Sequence, residues 1–267
     1  MLASSRATET DRLPAKPAVE IENVSMSFPG RKNTVDALSN VNMTIRRNEF
    51  VSIIGRSGCG KSTLLRIISH LIQPTSGNVK VHGLSPSDYQ LTKKFGFVFQ
   101  DASLFAWKTV LENVELPLEI LGMGTKSERH ERAMELLRLV QLEGFRDHYP
   151  AQLSGGMRQR VSIARALSYE PDILLMDEPF GALDDFTRRE MHDELIRIWK
   201  ARRFTAIFVT HSLPEAMYLS DRIAVMAPRP GRVKAMVAVT DPRDPDARKK
   251  PDYLRQIEDL EALLHEH

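Results

Sequence analysis

Three short stretches combine residue types that handle phosphate. In Gly55-Arg56-Ser57-Gly58-Cys59-Gly60-Lys61-Ser62, continued by Thr63, the spacing is G-x-x-x-x-G-K-S/T. Glycines there let a backbone wrap closely round an anion, so that successive N–H groups converge on it. Lys61 would set a cation against the β- and γ-phosphates of a nucleotide, and the Ser62 hydroxyl would ligate magnesium. Asp177-Glu178 is a pair of adjacent carboxylates. Asp177 suits magnesium, directly or through water, and Glu178 suits a general base for an attacking water. Beside Pro179, taken alone, the same pair is equally what a helix start carries. In Leu153-Ser154-Gly155-Gly156-Met157-Arg158-Gln159-Arg160, a hydroxyl and two bare glycines precede a helical pattern. That makes a second anion-receiving helix terminus; a plain N-cap would account for Ser154 but not for a second phosphate-type site in one chain. The one thiol, Cys59, lies inside the first loop, where bound ATP is expected to shield it from a bulky reagent.

The elements that must position these groups follow from periodicity. Phe50–Ile54 is a short apolar run ending at Gly55, and Leu64, Leu65, Ile68, Leu71 and Ile72 then fall at helical spacing, so the order is strand, glycine loop, helix. Ile173–Met176, Ala206–Val209 and Ile223–Met226 read as further buried strands, with a helix carrying Met191, Leu195 and Ile198 between the first two. Strands alternating with helices predict an α/β fold with a largely parallel sheet covered on both faces. Asp177-Glu178 then stands at the C-terminal end of a parallel strand, where such sheets bind ligands. The stretch from about Leu111 to Gln152 has only helical spacing and reads as an inserted helical unit. Ala18–Ile45 and Gly77–Val81 are β-branched and alternating, and predict an antiparallel sheet near the N-terminal side of the core.

Composition narrows the class. The 267 residues suffice for one large domain or two small ones; 42% are hydrophobic and 27% charged, as in a soluble globular protein. Lys and Arg total 37 against 35 Asp and Glu, a net charge of +2, which gives no support to a nucleic-acid partner. A single cysteine can form neither an intrachain disulfide nor a zinc site, which suits a reducing compartment. No secretory signal and no apolar run of about eighteen residues is found, so any membrane role is expected to come through a partner. Met1–Pro17 reads as a flexible leader and Asp241–Lys250 as a charged linker. Leu254, Ile257, Leu260 and Leu264 place an amphipathic helix over Asp252–His267, packed on its own domain.

Taken in order, the phosphate loop, the LSGGMRQR string, the LLMDEP string and His211 resemble the ATPase domain of ABC transporters, over roughly Val19 to Pro230. The resemblance implies a P-loop NTPase (RecA-like) core over 18–240, with an antiparallel β subdomain and a helical subdomain over about 101–157. It also implies further roles. Gln100, after the strand-like Phe95–Phe99, matches the glutamine that senses magnesium and γ-phosphate. Ala182-Leu183-Asp184 matches the D-loop, and His211 the switch histidine on the γ-phosphate. Phe28 stands where the family stacks a tyrosine on adenine, and any aromatic face can serve; a plain core residue is the alternative there. Asp101–Val110 and Ala227-Pro228-Arg229-Pro230-Gly231-Arg232 are similar to the nitrate, sulfonate and taurine importer branch, although Ala106 stands where that branch has proline. Phe105 and Trp107 would form a docking patch for a partner or else tuck into the helical insertion.

These likenesses imply ATP and Mg2+ as ligands. They imply a second copy whose Ser154, Gly155, Gly156 and Gln159 close over the ATP held by Lys61, transmembrane permease subunits on separate chains, and indirectly a solute-binding protein. The implied place is the cytoplasmic face of the cell membrane. The competing class is a soluble ABC ATPase acting on DNA or ribosomes. Such proteins carry two ATPase units, long coiled-coil insertions or zinc-binding cysteines, and this chain has none of these. A small-molecule kinase would leave Leu153–Gly156 without a role.

Overall fold

The computed structural model describes residues 17–30, 33–92, 94–181, 183–244 and 246–265. Apart from Pro17, the expected leader lies outside them. Two long strands open the described chain, β1 (Pro17–Phe28) and β2 (Val35–Arg46), paired antiparallel. With β4 (Ser76–Val81), antiparallel to β1, they form a three-stranded sheet in the order β2-β1-β4. Between them come β3 (Phe50–Gly55), buried along its whole length, and α1 (Lys61–Ile68). A second sheet has six strands, in the order β5-β6-β7-β3-β8-β9. Its members are β5 (Phe95–Val98), β6 (Ile173–Asp177), β7 (Thr205–Thr210), β8 (Arg222–Ala227) and β9 (Arg232–Ala238), with β3 among them. Every pairing in it is parallel except β8 with β9. Both the parallel core and the antiparallel sheet are thus as the apolar patterning predicts.

The stretch read as a helical unit contains α3 (Val110–Ile120) and α4 (Lys126–Leu139). Each starts with a capping box, Thr109 with Glu112 and Thr125 with Glu128, which satisfies two helix N–H groups reciprocally. Both pack on α5 (Gly155–Leu167), and α5 in turn leans on β5. Val114, Leu137 and Val161 share one continuous core with Leu174, Met176 and Phe208 of the sheet. The insertion is therefore seated on the sheet by common apolar burial. The opposite face of the sheet packs with the antiparallel layer and α1 through Val24, Val41, Ile53, Leu64 and Val209. α6 (Asp185–Arg202) and α7 (Leu213–Leu219) complete the cover.

Three features depart from the sequence reading. The short helix α2 (Pro86–Leu91) and the edge strand β9 had no pattern strong enough to mark them. The segment read as a charged linker is held in place by ion pairs that the sequence did not reveal. Arg243 reaches Asp221 at 2.7 Å, with its guanidinium 4.3 Å from the Trp199 ring centroid, and Lys250 bridges Asp241 and Asp244 at 2.7 and 2.9 Å. The helix expected at the C-terminal end, α8 (Pro251–His265), does pack on its own chain, burying Tyr253 and Leu260 against α7, β8 and their neighbours.

Candidate functional site

Strand register assembles the site. In the parallel sheet Ile54 is paired with Thr210, Gly55 with Met226, Asp177 with Val209, and Val98 with Met176. The phosphate loop after β3, Asp177-Glu178 after β6, His211 after β7 and Gln100 after β5 therefore emerge along one sheet edge. A cavity of about 770 Å³, lined by Arg47, Lys94 and Arg203 among others, lies at the other end of the strands and includes none of these residues.

The loop itself is shaped by its neighbours. Gly60 caps α1 with φ 91°, and a methyl group there would lie 2.5 Å from Leu38 Cδ2 and 2.9 Å from the Ala37 carbonyl oxygen. Only glycine fits both the left-handed backbone and the space. Arg56, Ser57 and Gly58 are exposed, and Ser62 and Thr63 are half-buried in the first turn of α1. Lys61 is buried, and its Nζ donates to the carbonyl oxygens of Gly55 at 2.9 Å and Arg56 at 3.3 Å. The loop carbonyls thus hold the ammonium at the centre of the turn. Cys59 corrects an expectation. Its thiol is fully buried, with Sγ 2.6 Å from where a Gly55 methyl would stand, and burial raises its pKa. It is backed into the core, so it presents no thiol for ATP to shield.

Ser62 Oγ donates to Asp177 Oδ1 at 2.9 Å, which joins the first turn of α1 to the end of β6. Burial pushes the Asp177 carboxyl upward, and the Ser62 hydrogen bond works against that. A hydroxyl and a partly buried carboxylate at this spacing form an all-oxygen donor set, which is the chemistry a magnesium ion prefers. Glu178 turns sharply with φ 45°, and its N–H is bonded to the Val209 carbonyl at 3.0 Å. A left-handed non-glycine backbone carries strain, and eleven other non-glycine residues among those described share it. That turn brings the Glu178 Oε2 to 3.1 Å from His211 Nδ1, a pairing that sequence reasoning missed. A methyl on Gly181 would lie 3.3 Å from the Gln100 amide nitrogen, so Gln100 packs on the turn that follows Glu178.

The second helix terminus is nearby but built differently. Ser154 caps α5, accepting from Met157 N–H at 3.2 Å, and Ser154 and Gly155 are exposed. Gly156 is buried, and a methyl there would lie 2.6 Å from Thr187 Cγ2. Gln159 does not stand on that exposed terminus: it is buried and donates inward to the Phe99 carbonyl at 3.1 Å, tying α5 to the segment that carries Gln100. A cleft of about 390 Å³ between Gln100, Gly155, Arg158 and Leu183 separates the two regions. Asp184 caps α6, accepting from Phe186 and Thr187 N–H at 3.1 and 3.0 Å, and these bonds, Thr187 first, lower its pKa. Ala182, read with it as part of the D-loop, lies outside the described residues. Phe28 ends β1 and is 38% exposed, which removes the core alternative. It is paired with Val35, two residues before Ala37, whose carbonyl abuts Gly60, so β1 ends on the same side of the fold as the phosphate loop. Arg229, not singled out in the sequence, also reaches the rim: its Nη2 is 3.6 Å from where a Gly58 methyl would be.

A family model described as ABC transporter matches residues 38–181, more than half of the chain. The chain belongs to the ABC transporter family. Its relatives in that family agree over nearly their whole length. An uncharacterized ABC transporter ATP-binding protein of Methanocaldococcus jannaschii is 46% identical over 249 residues, 92% of this chain and 91% of that protein. The nitrate import ATP-binding protein of a Synechocystis species is 41% identical over 254 residues, 92% of this chain and 94% of that one. The aliphatic sulfonates import ATP-binding protein of Bacillus cereus is 44% identical over 222 residues, 82% and 85% of the two chains. Among solved structures, the dimeric post-hydrolysis state of an ATP-binding cassette bound to ADP and Pi superposes with a TM-score of 0.74. It is 40% identical and covers 83% of this chain and 99% of that one. This chain is thus an ABC ATPase.

Proposed function

We propose that this chain is the ATP-hydrolysing subunit of a membrane importer for a small solute of the nitrate, sulfonate and taurine class, and that it works as a pair of copies. The observation that carries the ATPase chemistry is the register-locked grouping of Lys61, Ser62, Asp177, Glu178, His211 and Gln100 on one sheet edge. What supports the importer reading is the naming of two relatives as import ATP-binding proteins.

In this reading residues 18–240 are the ATPase domain, with 101–157 as its helical part. Phe28 stacks on the adenine, the loop N–H groups and Lys61 hold the β- and γ-phosphates, and Ser62, Asp177 and Gln100 hold magnesium. When bound, magnesium neutralises charge on the transferring phosphoryl oxygens. Glu178 takes a proton from the attacking water as its oxygen bonds to the γ-phosphorus and the β–γ bridge breaks. His211, kept beside Glu178, contacts the γ-phosphate. Ser154 and Gly155 of a second copy close the site from outside, in the way that the related cassette is described as dimeric.

Among the described residues no helix is long and apolar enough to cross a membrane, so transport requires a membrane-spanning partner. An apolar groove of about 600 Å³, lined by Leu71, Phe97, Phe99, Phe105, Ile120 and Leu121, opens beside Gln100 and suits a short amphipathic helix of that partner. Trp107 packs edge-on against Phe105 at 5.3 Å and is 73% exposed, so it is not tucked into the helical insertion. Docking there would place the chain on the cytoplasmic face of the membrane.

The test is recovery of the tagged chain from detergent-solubilised membranes. The expected result is an integral membrane protein co-purifying with it, lost with Trp107→Ala at an unchanged melting temperature. Recovery with ribosomes or DNA instead would contradict the importer reading.

A further inference from the structure

Beneath His211 lies a pair of ionisable side chains that the phosphate chemistry leaves unused. Glu215 and His192 are each 5% exposed, and Glu215 Oε1 is 2.7 Å from His192 Nε2. The other carboxylate oxygen accepts from Thr210 Oγ1, and that hydroxyl oxygen accepts from the Ser212 N–H at 2.9 Å. Thr210 and Ser212 flank His211. A carboxylate at this depth persists only when its oxygens are hydrogen-bonded, and here both are. The partners come from three elements. Glu215 is in the first turn of α7, Thr210 ends β7, and His192 rides on α6 about two turns beyond its cap, Asp184. The His192 ring also lies 5.6 Å from that of Phe180, two residues after Glu178.

We propose that Glu215, anchored by His192, is the positioning residue for His211. It fixes the Thr210–Ser212 turn so that His211 Nδ1 stays against Glu178, while the rest of a side chain that is 66% exposed remains open to a phosphate. Because His192 belongs to the helix opened by Asp184, a shift of that helix reaches His211 through one carboxylate. The inference rests on Glu178 and His211 being the catalytic pair.

The test is a double-mutant cycle on the full chain with saturating Mg-ATP. Glu215→Gln keeps the volume but removes the charge and one acceptor. We expect kcat to fall about tenfold with the KM for ATP within about twofold, the scale of a sub-ångström misplacement. In a His211→Ala background the same substitution should change the residual rate by less than about twofold, since a residue acting through His211 has nothing left to position. Without nucleotide, the Ser212 amide should exchange hydrogen faster in Glu215→Gln at an unchanged melting temperature. His192→Gln, which keeps an N–H donor, should retain more of the rate than His192→Leu, and serves if Glu215 variants fold poorly. An equal fall in both backgrounds, or no fall in either, would overturn the positioning role. A His211→Ala chain hydrolysing at the wild-type rate would instead overturn the catalytic reading, and this inference with it.

Discussion

Two helices of this chain begin at glycines, and their N-termini are finished in different ways. At α1 no side chain caps the helix, but the loop around it is braced from within. Gly60 is pressed by Leu38 and Ala37, Lys61 is held inside by two loop carbonyls, and Ser62 is tied to Asp177. At α5 Ser154 accepts from Met157 N–H and Arg158 donates to the Leu153 carbonyl, and a methyl on Gly155 would meet nothing nearer than Leu183 Cδ2 at 3.5 Å. Either helix N-terminus can receive an anion through its free N–H groups. The first terminus is braced by its own loop and β6, and the second is left exposed, which fits the proposal that a second copy closes over it.

The comparison breaks first at the carboxylates. Glu178→Gln should lower turnover by about 10²–10⁴-fold, the range of a lost general base, while ATP affinity stays within a few-fold. Steady-state hydrolysis and nucleotide titration on one preparation check both halves. Lys61→Ala comes next: with the phosphate charge unmatched, ATP affinity should fall by about 10²-fold, measured by equilibrium binding.

The two glycines sharpen the contrast. Gly60→Ala adds a left-handed β-carbon and a close contact, and should cost on the order of 1–3 kcal/mol of stability in denaturant melts. Gly155→Ala has room and a helical position, and should be neutral or stabilising by up to about 1 kcal/mol. The smallest effect belongs to Cys59. The buried thiol should resist maleimide in the folded chain with and without ATP, and Cys59→Ala should leave nucleotide affinity unchanged with a stability loss of about 1 kcal/mol.

What was legible in the sequence follows the range of the interactions. β3, the glycine loop and α1 show in local periodicity, as do β6, β7 and the helices of the insertion. The sheet order is not local, since parallel pairing joins segments far apart in the chain, so the contact of Glu178 with His211 could not be seen before the register of β6 with β7 was known. Arg243 misled for the same reason. In sequence it is one charge in a charged run, but Asp221 and Trp199 bury it. β9 stayed hidden because Val233, Met236 and Val237 are only half-buried and interleave with Arg232 and Lys234. Gln159 sits in a motif that marks an exposed terminus, yet its place on the inner face of α5 turns it toward Phe99.

The claim that a second copy completes the site is tested most directly by ATP-driven association. In Mg-ATP the Glu178→Gln chain, slowed in hydrolysis, should run as a dimer in analytical ultracentrifugation. Adding Gly155→Glu puts a carboxylate on the exposed terminus, where the first added carbon meets nothing nearer than 3.5 Å and the dipole favours the charge, but where it would face the γ-phosphate bound by the other copy. The account predicts a folded chain that binds ATP with unchanged affinity and stays monomeric. A Gly155→Glu chain that still dimerises with ATP as its parent does would contradict it.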